Sequence, residues 1–262
     1  AVASVPGIRK KLIHETEKAG IEMIKIIKTV FYWLAFLTYT LFFGIIGITL
    51  AFISPSSAIK YAVRPWGKMI ILTTGVTLDV KGLENIPKEP SIIMYNHQSV
   101  YDIFTFMAIL PIDWKAVMKK EVLDMPFIGW VSKVAGHYFV ARDGSERDTK
   151  EVKKIAERIR SGPSVLIAPE GTRSKDGKLL PFQKGGFFIA MLAGVPIVPM
   201  VMMGGTKIYA KTSWVVNPGT MKVRILPPVY PGDLPRGKAG REELMRIVRE
   251  SMEEVIEKEG DF

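Results

Sequence analysis

The sequence predicts an α/β protein with a largely parallel sheet flanked by helices and with an N-terminal membrane-associated helical segment. After residue 60, strand-like apolar runs alternate with helical patterns, as in sheets with helices on both faces. Several of these runs are nearly continuous in Val, Ile and Met, which is typical of strands covered on both faces. The first 60 residues instead combine a basic amphipathic pattern with a long uncharged stretch. We therefore divide the chain into membrane-anchoring helices at residues 1–60 and an α/β domain at residues 61–262.

The N-terminal segment contains an apolar stretch that is long enough to cross a bilayer. Residues 30–53 carry no formal charge over 24 positions, and roughly 18–20 apolar residues suffice to span the bilayer core. Before this stretch, apolar residues recur at helical spacing among lysines, which predicts a basic amphipathic helix. A cleaved signal peptide is disfavoured because its apolar region is only about 7–15 residues long. A buried core helix is disfavoured by the length of the stretch.

The charges beside the apolar stretch predict how it sits in the membrane. Basic residues lie on both sides of it, namely Arg9, Lys10, Lys11, Lys18, Lys25 and Lys28 before it and Lys60, Arg64 and Lys68 after it. Because cytoplasmic flanks carry an excess of Lys and Arg, we expect both ends on the cytoplasmic face of the cell membrane. This favours a monotopic helical pair within one leaflet over a single transmembrane span. Gly44 and Gly47, or residues 54–57 (SPSS), offer places for the turn.

The residues after position 60 supply the sheet. Seven apolar runs predict strands, at residues 76–80, 91–95, 114–118, 138–141, 164–168, 197–203 and 222–226. Five segments of helical pattern predict helices, at residues 99–110, 121–134, 146–159, 185–192 and 241–257. Two prolines, Pro196 and Pro199, predict that the sixth strand is bent or lies at an edge, because proline cannot donate in a ladder. Ligands bind beyond the carboxyl ends of the strands in such sheets.

Composition limits the kinds of partner and the kinds of chemistry. The net charge of +10 and the pI near 9.6 indicate an anionic partner. A membrane surface or a phosphorylated substrate is favoured over nucleic acid, because no pattern of a nucleic-acid-binding motif is present. The absence of cysteine excludes a thiol nucleophile, a disulfide framework and a thiolate metal site.

Residues 96–102 (NHQSVYD) place an imidazole and a carboxylate just after the second predicted strand. A neutral imidazole held by a carboxylate is the usual general base near pH 7. Five residues of helix separate two side chains by about 140°, so His97 must precede the helix that carries Asp102. Ser99 would then cap this helix, with Asp102 in its first turn. Asp102 could serve the helix end alone, or it could also accept from Nδ1–H of His97 and leave Nε2 as the base.

Residues 169–173 (PEGTR) follow the fifth predicted strand. Glu170 supplies a carboxylate and Gly171 permits close backbone approach. Thr172 supplies a hydroxyl, and Arg173 supplies a guanidinium that suits phosphate. The same residue types also favour an ordinary polar turn, so this motif alone does not assign a site.

Other residues near predicted strand ends extend the candidate site. Lys120 follows the third strand and Arg142 follows the fourth, so both could converge with Arg173 on a phosphate. A single such cation is more often only a solvated surface charge. Val195, Pro196 and Ile197 open the sixth strand and are read either as core or as part of an apolar wall for an acyl chain.

Taken in order, these motifs resemble those of the glycerolipid acyltransferases, and most of all the branch of bacterial PlsC-type 1-acylglycerol-3-phosphate acyltransferases. His97 and Asp102 match the His-x4-Asp motif of the family. Its other motifs resemble residues 139–142 (FVAR), residues 169–173 with their extension 180–186 (LPFQKGG), and residues 195–199 (VPIVP). The resemblance covers about residues 75–230. His-x4-Asp alone is common, whereas the four motifs in order are highly specific.

The resemblance implies an activity for the chain. It implies transfer of an acyl chain from the thioester of acyl carrier protein or coenzyme A to the sn-2 hydroxyl of 1-acylglycerol 3-phosphate, giving phosphatidic acid for phospholipid biosynthesis. The partners implied are lysophosphatidic acid, the thioester co-substrate and an anionic phospholipid membrane. No metal and no redox cofactor are implied.

The resemblance also implies a role for each candidate residue. His97 would be the general base, Asp102 would hold its tautomer, and backbone N–H groups near the start of the helix that Ser99 caps would stabilise the oxyanion. The acceptor phosphate would be bound by Arg142, Arg173 and Lys120. Glu170 would bind the glycerol hydroxyl or orient Arg173.

Other functions remain as alternatives. The acceptor could be glycerol 3-phosphate, another lysophospholipid or a nonphosphorylated alcohol. A serine lipase or thioesterase is disfavoured because no Gly-x-Ser-x-Gly motif is present. A noncatalytic membrane adaptor would keep its function without His97.

Overall fold

The computed structural model describes residues 6–125, 128–141 and 146–260. Within these ranges seven strands form one sheet, in the order β1-β7-β6-β2-β5-β3-β4. The strands are β1 (Val76–Lys81), β2 (Ile92–Tyr95), β3 (Trp114–Lys119), β4 (Tyr138–Val140), β5 (Ser164–Ile167), β6 (Ile197–Met203) and β7 (Gly219–Ile225). Neighbouring strands are parallel except for β6 and β7, which pair antiparallel. The predicted α/β fold with a largely parallel sheet is confirmed.

Helices precede the sheet and cover both of its faces. They are α1 (Pro6–Ala51), α2 (Pro55–Ala58), α3 (Arg64–Thr73), α4 (Tyr101–Ile109), α5 (Ile128–Val134), α6 (Glu146–Ile159), α7 (Lys184–Ala193), α8 (Gly205–Ile208) and α9 (Lys238–Glu259). A π-helical turn (Ile59–Val63) joins α2 to α3, and the predicted domain boundary after residue 60 falls inside it. Short 3₁₀ turns lie at Leu83–Asn85, Lys120–Asp124 and Pro231–Asp233.

The core has one layer on each face of the sheet. Alternate residues of β2 point to opposite layers: Ile93 and Tyr95 pack with residues of α3 and α4, whereas Ile92 and Met94 pack with residues of α6, α7 and α9. All residues of β2, β5 and β6 are therefore buried. This double coverage explains why these strands are nearly continuous apolar runs in the sequence.

The position of β6 corrects the prediction made from Pro199. β6 lies inside the sheet, between β7 and β2. The proline is tolerated because the ladder between β6 and β7 begins one residue later, where Met200 pairs with Ile225. The carbonyl of Pro199 accepts from Leu226 N–H at 2.9 Å, so the residue contributes an acceptor where it cannot donate.

The helix predicted over residues 121–134 is divided. A 3₁₀ turn (Lys120–Asp124) is followed by α5 (Ile128–Val134). Met125, which precedes Pro126 in the sequence, is extended with φ −78° and ψ 121°, as is typical of a residue before proline. The periodic pattern continues across this position, and the proline divides the helix.

The N-terminal helix is continuous through both glycines that the sequence offered for a turn. α1 runs for 46 residues, and the chain turns after it, where Ser54 N–H donates to Leu50 O at 2.8 Å. The following helices pack back against α1: Tyr39 Oη and Thr73 Oγ1 are 3.1 Å apart, and the rings of Phe36 and Trp66 are 6.1 Å apart. The predicted turn therefore lies at the SPSS site and not at the glycines.

The length and composition of α1 indicate membrane association. The part of α1 from Lys11 to Ala51 is long and apolar enough to cross a membrane, and its most apolar window is not buried by the rest of the described chain. A 46-residue helix is about 69 Å long at 1.5 Å per residue. This is about twice the roughly 30 Å thickness of a bilayer core.

Candidate active site

The two main motifs meet at the carboxyl edge of the sheet. β2 leads to His97, and β5 leads to Glu170. The two strands are parallel neighbours, with Met94 opposite Ile167, so the loops that follow them leave the sheet side by side. A direct hydrogen bond joins these loops, from Ser174 N–H to His97 O at 2.7 Å.

The histidine and the aspartate of the first motif are in direct contact. Nδ1 of His97 lies 2.7 Å from Oδ2 of Asp102. Asp102 is fully buried, whereas the His97 side chain keeps 18% of its surface exposed. Oδ2 also accepts the backbone N–H groups of Gln98 at 2.7 Å and Ser99 at 2.9 Å. An oxygen that accepts from two N–H groups is set to accept from Nδ1–H as well, which leaves Nε2 of His97 as the basic atom.

Asp102 also serves the start of the helix. Oδ2 accepts from Ser99 N–H just before the helix, but the N-cap residue of α4 is Val100, so the prediction that Ser99 caps the helix is wrong. The Ser99 hydroxyl accepts from Tyr101 N–H at 3.3 Å and donates to Tyr209 O at 2.8 Å. α4 itself begins at Tyr101, two residues after the predicted start. Both roles weighed for Asp102 in the sequence are therefore present in the geometry.

Four of the backbone N–H groups near the start of α4 already have hydrogen-bond partners. The N–H groups of Gln98 and Ser99 are bonded to Asp102. Those of Tyr101 and Asp102 are bonded to Ser99. These four N–H groups hold the His97 loop together, and the expectation that this helix start provides oxyanion donors stays a prediction.

Glu170 binds the backbone of the His97 loop. Its Oε1 accepts from His97 N–H and its Oε2 accepts from Leu180 N–H, both at 2.9 Å. Only 5% of Glu170 is exposed, and this burial raises the pKa of its carboxyl above the ordinary value of 4.5, against the lowering effect of the two N–H bonds. The carboxylate thus joins two loops, and each of its oxygens accepts a hydrogen bond from a backbone N–H group.

The loop after Glu170 turns at Gly171 and contacts the loop that carries His97. Gly171 has φ +74°, in the left-handed region that favours glycine, and its N–H closes a turn onto Ala168 O at 3.0 Å. Further along, Gly177 O accepts from the buried side-chain amide of Gln98 at 3.0 Å. The turn places Thr172 and Arg173 beside a lysine from another segment: Lys211 Nζ donates to Thr172 Oγ1 at 3.2 Å and to Arg173 O at 3.1 Å.

The remaining candidate residues lie at different places. Lys120 is exposed in the 3₁₀ turn after β3, and Arg142 lies outside the described residues. Val195 and Ile197 are buried in the core layer of α6, α7 and α9. Ile197 pairs with Ile92 at the start of β2, so the structure does not bring this group to His97, which lies beyond the other end of that strand.

His137 does not compete for the role of base. Burial, with a smaller effect of Lys115, lowers its pKa to about 4. Its Nδ1 accepts from Ala116 N–H at 3.2 Å, and its ring stacks on Trp114 with 5.7 Å between centroids. His137 is thus a neutral core residue. Among the described residues no group of three or more His, Asp or Glu side chains is placed to hold a metal ion.

Three residues that support the site were not identified from the sequence. The side-chain amide of Asn96 donates to Met202 O at 2.8 Å and accepts from Met202 N–H at 2.7 Å, and so continues the contact of β2 with β6. Gly205 packs against Asp102, and the Gly-Gly pair after the sixth strand was a signal for such close packing. Lys211 lies in no recognisable motif, and only the folded chain brings it to residues 172–173.

Fold and site together define a class of protein. A partly exposed histidine is held by a buried aspartate at the carboxyl edge of an α/β sheet, and the chain carries a long apolar helix at its N-terminal end. This places the chain among membrane-associated α/β proteins whose sheet edge carries a His–Asp pair, a geometry suited to general-base chemistry.

Comparison of the chain with known proteins identifies the family to which it belongs. The family model described as Acyltransferase matches residues 77–203. The 1-acyl-sn-glycerol-3-phosphate acyltransferase of Pseudomonas aeruginosa is 31% identical over 223 residues, covering 82% of this chain and 86% of that protein. The crystal structure of the 1-acyl-sn-glycerophosphate acyltransferase PlsC from Thermotoga maritima is similar with a TM-score of 0.75 and 26% identity, covering 89% of this chain and 97% of that one. The chain therefore belongs to the 1-acyl-sn-glycerol-3-phosphate acyltransferase family.

Relatives from plants and yeast are longer than this chain. The chloroplastic 1-acyl-sn-glycerol-3-phosphate acyltransferase BAT2 of Brassica napus is 39% identical over 155 residues, which is 58% of this chain and 45% of that protein. The 1-acyl-sn-glycerol-3-phosphate acyltransferase of Saccharomyces cerevisiae is 35% identical over 192 residues, or 72% of this chain and 63% of that protein. The chain thus spans less than two thirds of the length of these two relatives.

Proposed function

We propose that the chain is an enzyme that transfers an acyl group from an acyl-thioester to the sn-2 hydroxyl of 1-acylglycerol 3-phosphate, giving phosphatidic acid. The observation that carries the proposal is the 2.7 Å contact between Nδ1 of His97 and the buried Oδ2 of Asp102. Family membership supports the acceptor, because the relatives are named for it.

The reaction uses the pair as base and then as acid. Nε2 of His97 takes the proton of the sn-2 hydroxyl as its oxygen attacks the thioester carbonyl carbon. The Asp102 carboxylate stabilises the imidazolium that forms. When the intermediate collapses, the new ester C–O bond is retained, the C–S bond breaks, and the departing sulfur receives the proton from Nε2. No covalent acyl-enzyme is required.

The acceptor phosphate would be held by cations around the loop of Glu170. Arg173 is the central one, with Gly171 and Thr172 shaping the loop beside it and Lys120 and Arg142 as further contributors from the sequence motifs. Glu170 itself acts by positioning. Because its two oxygens bind His97 N–H and Leu180 N–H, it holds the loop of the base against the loop of the phosphate site.

The co-substrate would be a thioester of acyl carrier protein or coenzyme A. Acyl transfer between a thioester and an alcohol involves no change of oxidation state and needs only a base and stabilisation of the oxyanion. We therefore propose no metal and no redox cofactor for the reaction.

The enzyme would sit on the cytoplasmic face of the cell membrane as a monotopic protein. One face of α1 packs on the α/β domain through Tyr32 and Phe36. The other face exposes large apolar residues, including Phe31, Leu34, Leu37, Leu41 and Ile45. A helix with one face on a polar domain and one apolar face suits insertion into a single leaflet. The net charge of +10 favours an anionic surface.

Labelling can test this topology, because the chain has no cysteine of its own. Single cysteines at Glu15 and Lys68, both exposed, are placed on either side of the apolar stretch in membrane vesicles of known orientation. We expect an impermeant thiol reagent to reach both positions from the cytoplasmic side only. Reaction of the two positions from opposite sides would establish a transmembrane span.

The experiment that tests the activity compares acceptors with one labelled acyl-thioester in detergent micelles. We expect acylation of 1-acylglycerol 3-phosphate to exceed that of glycerol 3-phosphate, other lysophospholipids and 1-acylglycerol. A preference for glycerol 3-phosphate or another lysophospholipid would reassign the acceptor. Release of free fatty acid at the same rate without any acceptor would identify a lipase or thioesterase instead.

A further inference from the structure

We infer that Lys211 is a second cation of the acceptor-phosphate site, acting with Arg173; this rests on the proposed function. Lys211 lies in the segment after α8, about 40 residues beyond the loop of Glu170 in the sequence, yet its Nζ donates to Thr172 Oγ1 at 3.2 Å and to Arg173 O at 3.1 Å. The ammonium group is thus fixed on the backbone of the residue whose guanidinium is the main phosphate ligand of the proposal.

Two hydrogen bonds place the segments around Lys211 and Arg173 against the loop of His97. Two residues before it, Tyr209 O accepts from the Ser99 hydroxyl at 2.8 Å, and Ser99 belongs to the loop of the base. On the other side, the residue after Arg173 is Ser174, whose N–H donates to His97 O at 2.7 Å. Lys211 therefore contacts the loop of Glu170 and lies two residues from the contact of Tyr209 with the loop of His97, so both loops fix its position.

The charge balance favours an anion at this place. Within the described ranges no carboxylate oxygen lies within 4.0 Å of the side-chain nitrogens of Lys211 or Arg173. Glu170 directs its two oxygens to the backbone N–H groups of His97 and Leu180 and forms no ion pair with either cation. Lys211, held on the backbone carbonyl of Arg173 and without an ion-paired carboxylate, is therefore placed to attract an anion.

The chemistry of the two side chains suits a phosphomonoester. An ammonium has three N–H donors, and two of those of Lys211 are used on Thr172 and Arg173. The third is left for a ligand, and Lys211 is exposed, so a ligand can reach it. A guanidinium binds two phosphate oxygens in a fork and a lysine adds a point charge. The terminal phosphate of 1-acylglycerol 3-phosphate offers oxygens to both.

The test is steady-state kinetics of Lys211→Ala and Lys211→Arg in nonionic micelles free of phospholipid. We expect K211A to raise the KM for 1-acylglycerol 3-phosphate about tenfold to hundredfold, the scale of one lost hydrogen bond to a charged group. The KM for the acyl donor and kcat should change little, and K211R should restore most of the loss. Lys258→Ala, which removes the same charge from the end of α9, is the matched control and should leave all three constants unchanged.

A binding measurement gives a second readout that does not depend on turnover. The Kd of 1-acylglycerol 3-phosphate without donor should rise in K211A by a factor similar to that of KM. If K211A lowers kcat while KM and Kd for the acceptor stay at wild-type values, Lys211 only holds the loops together and the inference fails. A rise in the KM for the donor instead would assign Lys211 to the thioester. If the wild-type protein does not acylate 1-acylglycerol 3-phosphate at all, the proposed function fails, and the inference with it.

Discussion

Glu170 binds the backbone N–H of His97 and not its imidazole. The distance from Oε1 to His97 N is 2.9 Å, and the other oxygen binds Leu180 N–H at the same distance. The carboxylate therefore links the loop that contains His97 to the loop that carries Arg173.

The buried position of Glu170 predicts a pH dependence of stability. Burial raises the pKa of its carboxyl in the folded chain above the ordinary value of 4.5, so the folded state binds the proton more tightly than the unfolded state. The stability contributed by this group is fully present below pH 4.5 and is lost as the pH rises through the raised pKa. We expect Glu170→Gln to abolish this part of the pH dependence, as measured by thermal unfolding in micelles.

The comparison of wild type with E170Q carries its own control. The unfolding temperature of the wild type should fall relative to that of E170Q as the pH rises above 4.5. At higher pH the difference between the two should become constant. A difference between wild type and E170Q that is the same at every pH would mean that Glu170 titrates alike in both states.

Replacing His97 should remove the general base without disturbing the fold. The side chain is partly exposed and its ring contributes no backbone pairing. We expect His97→Ala to lower kcat by roughly 10² or more, the usual scale for loss of a general base. Initial rates with a labelled donor measure the effect. His14→Ala, on the exposed side of α1, is the control and should retain wild-type rates. Full activity of H97A would mean that His97 is not the general base.

Asp102→Asn separates the charge of this side chain from its shape. Oδ1 of Asp102 is buried and has no hydrogen-bond partner among the described residues, so an amide NH₂ can occupy its place while the amide oxygen keeps the bonds of Oδ2. The variant then folds but cannot stabilise the imidazolium. We expect kcat to fall by about 10²–10⁴, with a small change in unfolding temperature. Wild-type turnover in D102N would leave Asp102 only its role at the helix start.

The sequence predicted the elements of this fold because most of its signals are local. The runs in β2, β5 and β6 are apolar at every position, and each is buried on both faces. Pro199 misled the prediction for β6, because its effect depends on where the neighbouring ladder begins, and Ile225 sets that point. The position of a proline within a sheet is a property of the pairing and not of the strand alone.

The same limit applies to the site. His97 and Asp102 are close in sequence, and helix geometry alone set their order. The bond between Glu170 and His97 N–H required the adjacency of β2 and β5, which no residue pattern in the sequence specifies. The bonds from Gln98 and Ser99 N–H to Asp102 also depend on the folded loop, because a buried carboxylate is satisfied by whichever N–H groups the fold brings to it.

Gly205 is expected to set the position of Asp102 by leaving room for it. A Cβ at this position would lie 3.1 Å from Oδ1 of Asp102 and 3.0 Å from Cβ of Ser99. Both neighbours are fully buried, so they cannot move without shifting the loop that holds His97. We expect Gly205→Ala to lower kcat about tenfold or more, because misplacing a catalytic group by 1 Å costs on the order of 10² in rate. It should also lower stability by about 1–3 kcal/mol, as overpacking does.

The matched control for Gly205→Ala is Gly232→Ala, where an added Cβ meets nothing within 4 Å. It should leave kcat and unfolding temperature close to wild type. The KM for the acceptor should stay nearly constant in G205A, because the change acts on the base through Asp102 and not on the phosphate site. If G205A is less stable but keeps wild-type kcat, other neighbours have moved to make room for the added methyl and Asp102 has kept its position. A rise in acceptor KM as large as the fall in kcat would instead mean that the whole loop from residue 205 to Lys211 had moved.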